Sequence, residues 1–367
     1  MRTLKTEEFM VNMGPQHPST HGVLKLVLTL DGEIVKDCVP HIGFLHRGME
    51  KIFENRTYHQ IMPYTDRLDY LASMTNNFAY ALAVEKMVGV KIPPRAEYIR
   101  VIMAELQRIA SHLIWFSTFA IDLGATTPFL YGFRERELII DLFEAASGNR
   151  LTYNYFRIGG ISRDINPAWI EQAKKALDNI AKQIDQYEIL LTGNPIFTER
   201  TKNIAVIKPE LAKSYGLTGP NLRSCGIPLD LRLDYPYSVY PELEFNVITA
   251  KNGDTFDRYK VRLDEIRESI KMIKQAFDKL PEGDIMTKVP KVLKPEAGEI
   301  YSAIESPRGE LGFYIVSDGS QKPQRCKVRA PSFANLAIIP DIAKGLMISD
   351  LVALTGSIDI VLGEIDR

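Results

Sequence analysis

One helical segment limits the fold more than any other part of the chain. Pro93-Pro94 predicts a helix start, because proline is tolerated in the first turn. The helix is expected to continue to about Leu123, where Gly124 supplies the stop. Its second half, from Ile109 to Phe116, is apolar on nearly all sides. A helix of this kind lies in the centre of a large domain, so other elements have to surround it.

The predicted surrounding elements are mostly helices, with strands near both ends of the chain. Two β-rich runs, 23–30 and 33–39, are joined at Asp31-Gly32, a strong hairpin signal. Periodicity and turn residues predict further helices at 66–87, 127–146, 167–191, 255–280 and 340–355, and strands at 299–305, 311–317 and 324–329. The chain is therefore predicted to be a single α+β domain, with an N-terminal β region (1–45), a helical core (46–280) and a C-terminal α/β part (281–367).

The helices differ in the faces that they present. In 66–87, an apolar stripe is formed by Leu71, Met74, Phe78 and Leu82, so one face is predicted to be buried. The helices at 167–191 and 255–280 carry polar faces of mixed charge. That pattern is typical of a face exposed to solvent or to a partner protein.

Composition excludes several classes of protein. The chain has 45 basic and 46 acidic residues, which argues against a nucleic-acid-binding surface. Its N-terminus lacks the apolar run of a secretory signal. The most apolar stretch, 113–121, is far shorter than the roughly 20 residues that cross a bilayer. Cys38, Cys225 and Cys326 are scattered and form no CxxC pair, so we predict buried thiols and a reducing, cytosolic compartment.

Metal and nucleotide sites are disfavoured by spacing. All six histidines lie in the first third of the chain, at His17, His21, His41, His46, His59 and His112. None is spaced with a carboxylate or cysteine in the way that a metal motif requires. The phosphate-binding patterns GxxxxGK[ST] and GxGxxG are also absent from any strand–turn–helix setting.

Three residues are candidates for proton chemistry. His21 titrates near neutral pH, Tyr70 has a phenol that donates a hydrogen bond, and Asp122 is an acid at the end of the apolar helix. Each also fits a structural role: a hydrogen-bonded turn residue, an interface tyrosine, and a helix cap or ion-pair partner. The residues alone favour the structural role for each of the three.

A set of motifs along the whole chain resembles the quinone-site family of the proton-pumping NADH:quinone oxidoreductases (complex I), whose members are the 49-kDa-type or D subunits. Any single motif is weak, but seven or more in the same order are specific. The motifs are Met-Gly-Pro-Gln-His-Pro-Ser-Thr-His-Gly at 13–22, Gly-Phe-Leu-His-Arg-Gly-Met-Glu-Lys at 43–51, Pro-Arg-Ala-Glu at 94–97, Phe-Arg-Glu-Arg-Glu at 133–137, Asn-Tyr-Phe-Arg-Ile-Gly-Gly at 154–160, Glu-Leu-Gly at 310–312, Lys-Val-Arg-Ala-Pro-Ser-Phe at 327–333 and Gly-Glu-Ile-Asp-Arg at 363–367.

This family is similar in fold to the large subunit of nickel-iron hydrogenases, which hold their metal with two CxxC pairs. The corresponding segments here, 67–72 and 359–364, contain no cysteine. Without thiolates, a soft-ligand nickel site is excluded. The resemblance therefore implies a hydrogenase-like fold that carries a quinone pocket and binds no metal itself.

The resemblance also implies roles for particular residues. His21 and Tyr70 are expected to hydrogen-bond the quinone headgroup, and Asp122 to pair with His21. Arg47 is expected near a [4Fe-4S] cluster held by the neighbouring B subunit, although a structural ion pair is an equal alternative. Thr152 stands where many relatives have a histidine that makes the potential of this cluster depend on pH. His17 has no assigned role.

The implied setting is a peripheral-arm subunit on the cytoplasmic side of the inner cell membrane. Its expected partners are the B and C subunits of the arm and the membrane-embedded H and A subunits, with ubiquinone or menaquinone as substrate. Three alternatives are a hydrogenase-like catalytic subunit, a related assembly with ferredoxin or another donor in place of NADH, and a scaffold without chemistry. The missing cysteines disfavour the first, and retention of His21, Tyr70 and Asp122 disfavours the third.

Overall fold

The structure, a computed structural model, describes residues 8–16 and 22–367. Three small antiparallel sheets are present in these ranges, with strand orders β1-β2-β3, β4-β5 and β6-β7-β8. The strands are β1 Glu8–Met13, β2 Lys25–Asp31, β3 Ile34–His41, β4 Phe156–Arg157, β5 Gly160–Ile161, β6 Gly298–Ser306, β7 Gly309–Ser317 and β8 Arg325–Arg329.

About half of the chain is helical within the described residues, and the longest helix is the predicted apolar one. The helices are α1 Met49–Phe53, α2 Tyr58–Thr65, α3 Ser73–Val88, α4 Pro94–Asp122, α5 Thr126–Ser147, α6 Pro167–Tyr187, α7 Pro195–Glu199, α8 Pro209–Ser214, α9 Gly219–Arg223, α10 Leu231–Asp234, α11 Thr255–Asp278, α12 Pro331–Ala337, α13 Ile339–Ile342, α14 Ile348–Ile358 and α15 Leu362–Ile365. A π-helical turn, Glu188–Thr192, extends α6.

Helix α4 is the centre of the domain, as its apolar character predicts. It packs against α5, α11 and α14, and almost all of its residues from 95 to 113 are buried. The larger of two hydrophobic clusters surrounds α4. The second cluster joins the N-terminal sheet to 205–225 and to the C-terminal residues 336–365. The α+β architecture is thus built around one buried helix.

The β-hairpin is confirmed, with one correction at its turn. Strands β2 and β3 pair from Lys25 opposite His41 to Asp31 opposite Ile34, so the two-residue loop is Gly32-Glu33. Gly32 has φ 64°, a left-handed conformation that glycine adopts without steric cost. Strand β1 was not among the sequence predictions. It is an edge strand in which only Met13 is buried, so it has no alternating apolar pattern.

Two other predicted elements were wrong in part. The helix predicted at 340–355 is two helices, α13 and α14, because the segment between them bonds to β3. The Val35 amide donates to the Leu346 carbonyl at 2.8 Å, and the Gly345 amide donates to the Val35 carbonyl at 2.8 Å. The helix predicted at 66–87 begins only at Ser73, and residues 73–85 are all buried, so α3 has no solvent face along that length.

Candidate functional site

Tyr70 lies in the turn that precedes α3, not on the helix where the sequence pattern placed it. The turn, residues 66–72, is held by side chains of the helix that follows it. The Ser73 hydroxyl donates to the Asp66 carbonyl at 3.0 Å and the Tyr70 carbonyl at 3.2 Å, and the Asn76 amide donates to the Asp69 carbonyl at 2.9 Å. These bonds compete with helical ones, so the chain stays in a turn. Tyr70 is half-buried.

Arg47 reaches the same turn from the segment before α1. Its guanidinium donates to the Arg67 carbonyl at 2.8 Å and to the Gly363 carbonyl at 3.0 Å. Gly363 itself lies so close to the turn that an added Cβ would stand 2.7 Å from the Leu68 carbonyl oxygen. Arg47 therefore joins the Tyr70 turn to the C-terminal segment. The residue is exposed, and partial desolvation of its guanidinium lowers its pKa.

The phenol of Tyr70 is in a mixed electrostatic environment. Burial raises its pKa above the ordinary value, and the nearby Asp69 carboxylate raises it further. The cations Arg308 and Arg47 act in the opposite direction. The phenol therefore stays protonated near neutral pH, while two cations are placed to stabilise the phenolate if the proton leaves.

Behind Tyr70 lies a buried ion cluster, which we call the Arg308 cluster: Arg308, Asp69, Asp359, Arg262 and Glu364. Arg308 donates to Asp69 at 2.6 Å and to Asp359 at 3.0 Å, and its side chain is 1% exposed. Arg262 approaches Asp359 at 3.8 Å and stacks over the Trp115 ring, 4.3 Å from the centroid. These contacts connect the Tyr70 turn to α11, α4 and the C-terminal segment.

Glu364 is a strongly perturbed carboxyl group of this cluster. It is 1% exposed, and it accepts a hydrogen bond from the Ser332 amide at 2.9 Å. Its pKa is raised to about 7, first by burial and then by the nearby Asp69, while Ser332 and Arg308 oppose the shift. Burial also raises the pKa of Asp69.

Sequence reasoning missed the Arg308 cluster. Asp359 and Glu364 are the only charged residues in the largely apolar run from 351 to 365, and a charged residue in such a run is a signal for a buried ion. Asp69 carries no comparable signal. Arg262 belongs to the polar face of α11, which was predicted to be exposed or partner-facing. That prediction was wrong for Arg258, Arg262 and Glu265, whose exposed fraction is 2% or less.

A second buried ion network, centred on Arg223, continues from this cluster into the domain. The Arg223 guanidinium donates to Glu265 at 2.7 Å and to Glu305 at 2.7 Å, and lies 3.7 Å from Asp230. Glu265 also bonds His112 at 2.9 Å. His112 is therefore a buried structural histidine whose pKa is lowered by burial.

Of the predicted site residues, His21 lies outside the described part of the chain. His17, to which no role was assigned, also lies outside it. The next residue, Gly22, is described: a Cβ added there would stand 3.5 Å from the Leu362 side chain. Leu362 precedes Gly363, which touches Arg47 and the Tyr70 turn. The C-terminal segment therefore contacts both Gly22 and the Tyr70 turn.

Asp122 is the last residue of α4, as predicted, and is half-buried. Eleven residues separate it from Ser111, which accepts a hydrogen bond from Arg308 at 3.2 Å. At 1.5 Å per residue, Asp122 is about 16 Å farther along the helix axis than the Arg308 cluster. The structure therefore brings Tyr70 and Arg47 together, but places Asp122 at the far end of α4.

Metal ligands and membrane-spanning helices are both missing from the described ranges. Within residues 8–16 and 22–367, no group of three or more His, Cys, Asp or Glu side chains is arranged to hold a metal ion. None of the helices in the same ranges is long and apolar enough to cross a membrane. All three cysteines are buried free thiols, as predicted.

Comparisons with known proteins extend over nearly the whole chain. The sequence matches the family of the respiratory-chain NADH dehydrogenase 49 Kd subunit over residues 122–297 and 291–367, and the nickel-dependent hydrogenase family over residues 47–123. A Dehalococcoides mccartyi protein named as the D subunit of NADH-quinone oxidoreductase is 55% identical over 365 residues, covering 99% of this chain and 100% of that protein. Proteins of the same name from Geotalea uraniireducens and Clostridium beijerinckii are each 52% identical, covering 99% and 100% of this chain and 99% of each relative.

Proposed function

Because this chain belongs to the 49-kDa subunit family of the respiratory-chain NADH dehydrogenases, we propose that it forms the quinone-binding pocket of its complex at the Tyr70 turn. The chain is a subunit of an NADH-quinone oxidoreductase, a multisubunit oxidoreductase. In the proposal, electrons from NADH reach the pocket through FMN and iron-sulfur clusters of other subunits. The last of these is the [4Fe-4S] cluster of the B subunit.

The observation that supports this proposal most is the convergence of three separate segments on Tyr70. Arg47 comes from the segment before α1, Tyr70 from the turn before α3, and Gly363 from the C-terminus. Gly22, the residue after His21 in the sequence, lies against Leu362 of the same C-terminal segment. A half-buried phenol flanked by two cations suits a site that donates a proton and then has to stabilise negative charge.

The chemistry of quinone reduction assigns the roles. Two electrons and two protons convert a quinone to a quinol, and electrons tunnel from a cluster whereas protons need donors within hydrogen-bond reach. Tyr70 would donate to one carbonyl oxygen and His21 to the other. Because Asp122 lies at the far end of α4, its proposed role of favouring the protonated imidazole requires the 14–22 segment to carry His21 toward that end of the helix. Loss of the His21 proton changes the local charge, and movement of the 14–22 loop would then start the coupling to proton translocation.

The surface beside Arg47 fits the docking of the cluster-bearing B subunit. Ile42 and Phe44, which precede Arg47 in the chain, are 43% and 53% exposed. Phe333 is 43% exposed and lines the same cavity as Ile42. A cation close to an iron-sulfur cluster favours its reduced form, which carries the more negative charge. The C subunit of the peripheral arm and the membrane-embedded H and A subunits complete the proposed surroundings, on the cytoplasmic side of the inner membrane.

Photoaffinity labelling of the assembled enzyme tests the pocket directly. With a photoreactive quinone analogue, we expect labelled peptides from 14–22 and from 66–72, and excess natural quinone should abolish both labels. Peptides from the surface helix 167–187 serve as the internal control, since they should remain unlabelled. Labelling confined to other subunits, with none on this chain, contradicts the proposal.

The residue at position 152 gives a second prediction. If Thr152 stands where relatives carry a redox-linked histidine, the cluster potential of this enzyme is weakly dependent on pH, which would suit a low-potential quinone such as menaquinone. Thr152→His should introduce a dependence that approaches about 59 mV per pH unit for a one-electron couple. Potentiometric titration of the assembled enzyme at three pH values around neutrality measures it. A steep dependence already present with Thr152 rules the hypothesis out.

A further inference from the structure

The Arg308 cluster holds more buried acids than buried bases. Asp69, Asp359 and Glu364 are 2%, 7% and 1% exposed, and the guanidinium groups that face them belong to Arg308 and Arg262. Three carboxylates and two guanidinium groups give the cluster a formal charge of −1. Burying an uncompensated charge is costly, and a buried group takes up a proton rather than remain unpaired. The cluster is therefore expected to bind one proton at neutral pH.

The contacts of the three acids with the two arginines indicate which two carboxyl groups hold this proton. Asp359 contacts both arginines and is thus the best compensated of the three acids. Asp69 has one arginine, through the 2.6 Å bond to Arg308. Glu364 is bonded instead to a neutral group, the Ser332 amide, at 2.9 Å. The least compensated pair is therefore Asp69 and Glu364.

We propose that Asp69 and Glu364 share a single proton and together act as a proton store for Tyr70. This inference rests on the proposed function, because it deals with what happens after Tyr70 has given its proton to the reduced quinone. The Tyr70 phenolate then takes the stored proton, both carboxyl groups become carboxylates, and the cluster changes from neutral to a single negative charge. Uptake of one proton from solvent restores the starting state. Asp69 and Glu364 thus act on the quinone only through Tyr70, to which they return the proton.

The charged neighbours agree with a proton that is held and released near neutral pH. Glu364 faces Asp69, which raises its pKa, and Arg308, which lowers it; its pKa is about 7, mainly because of burial. Asp69 faces Arg308 and Asp359, and burial raises its pKa as well. The Arg367 side chain approaches the Glu364 backbone carbonyl, at 3.4 Å. For an acid with a raised pKa, the proton is present below that pKa and is lost as pH rises through it.

The test compares the assembled wild-type enzyme with Glu364→Gln by infrared spectroscopy and by the pH profile of quinone reduction. Glutamine retains the acceptor for the Ser332 amide but cannot hold an acidic proton. In the wild type, we expect the carbonyl band of a buried carboxylic acid to disappear as pH rises through about 7, and in Glu364→Gln this titration should be missing. Turnover should be about tenfold lower in the variant at about pH 6 and within about twofold at about pH 8.5. Glu282→Gln, at a fully exposed side chain, is the matched control.

Glu364→Asp keeps a carboxyl group and should restore both the infrared band and the pH dependence, which separates proton storage from simple damage. A wild-type band and pH profile in Glu364→Gln overturn the proposal, as does an equal loss of turnover at every pH without a spectral change. The turnover of Tyr70→Phe distinguishes a failure of the proposed proton store from a failure of the proposed quinone pocket. If Tyr70→Phe lowers turnover while Glu364→Gln behaves as wild type, the proposed proton store is wrong and the proposed quinone pocket is retained. If Tyr70→Phe has no effect on turnover, the proposed role of Tyr70 in the quinone pocket is wrong. The infrared titration still shows whether Asp69 and Glu364 hold a proton.

Discussion

Tyr70→Phe is expected to lower the quinone reductase turnover of the assembled enzyme by about 10²-fold or more, the range for loss of a general acid. The change removes only the hydroxyl, so the packing of the ring in the turn is retained. Arg47, Arg308 and the C-terminal segment keep their contacts, because the hydrogen bonds that hold them are made to other groups. The loss should appear in kcat, since the proton moves in the transition state.

The quinone reductase rate is compared with the rate of electron entry, in Tyr70→Phe and in a matched control variant. Electron entry is followed with an artificial acceptor that does not use the quinone pocket, and this rate should be unchanged in Tyr70→Phe. Tyr64→Phe removes a hydroxyl from another half-buried tyrosine, at the end of α2, and should leave both rates unchanged. If Tyr70→Phe keeps wild-type quinone turnover, Tyr70 is not the proton donor.

Long elements with strong patterns were predictable from the sequence. The limits predicted for α4, α5, α6 with its π-turn, and α11 all agree with the structure to within about two residues. Proline, glycine and apolar residues at the ends of α4 are local signals, so no tertiary information was needed. The hairpin and the three C-terminal strands were predictable for the same reason.

Elements defined by tertiary contacts were not predictable. The Tyr70 turn is held apart from α3 by Ser73 and Asn76, and by the bond of Asp69 to Arg308, 239 residues later. Apolar periodicity places Leu71 in register with Met74, so the predicted helix extends backward to residue 66. Similarly, α11 presents charged residues at helical spacing, and nothing local distinguishes a solvated arginine from a buried one with a distant carboxylate.

The candidate site likewise has a part that the sequence predicted and a part that only the structure shows. The motifs identified Tyr70, Arg47 and Asp122 as positions of interest, but only the structure puts the first two beside each other and adds the Arg308 cluster behind them. The physical reason is that Arg47, the Tyr70 turn and Gly363 meet through backbone carbonyl groups. Backbone contacts of this kind have no residue-type signature in a sequence.

Arg223→Met should produce the largest loss of stability among single changes to the buried ions. Arg223 is completely buried between Glu265, Glu305 and Asp230, and its removal leaves three acids sharing the remaining cations. Breaking a buried ion pair from one side costs about 3–5 kcal/mol of unfolding free energy. Arg150→Ala, which removes an exposed arginine from Glu137, Asp141 and Glu144, is the control and should have no measurable effect.

The pH dependence shows whether uncompensated charge causes the loss. In the wild type, Arg223 holds the pKa of Glu265 far below its ordinary value, so this carboxylate stabilises the fold above its unfolded pKa and loses that contribution only in acid. Without Arg223, burial dominates and the acids bind protons more tightly in the folded state than in the unfolded one. Stability of the variant should then rise as pH falls from about 8 to about 5, and its deficit against the wild type should narrow. Urea unfolding of this chain in the assembled enzyme at both pH values measures this, and a deficit independent of pH would assign the loss to packing instead.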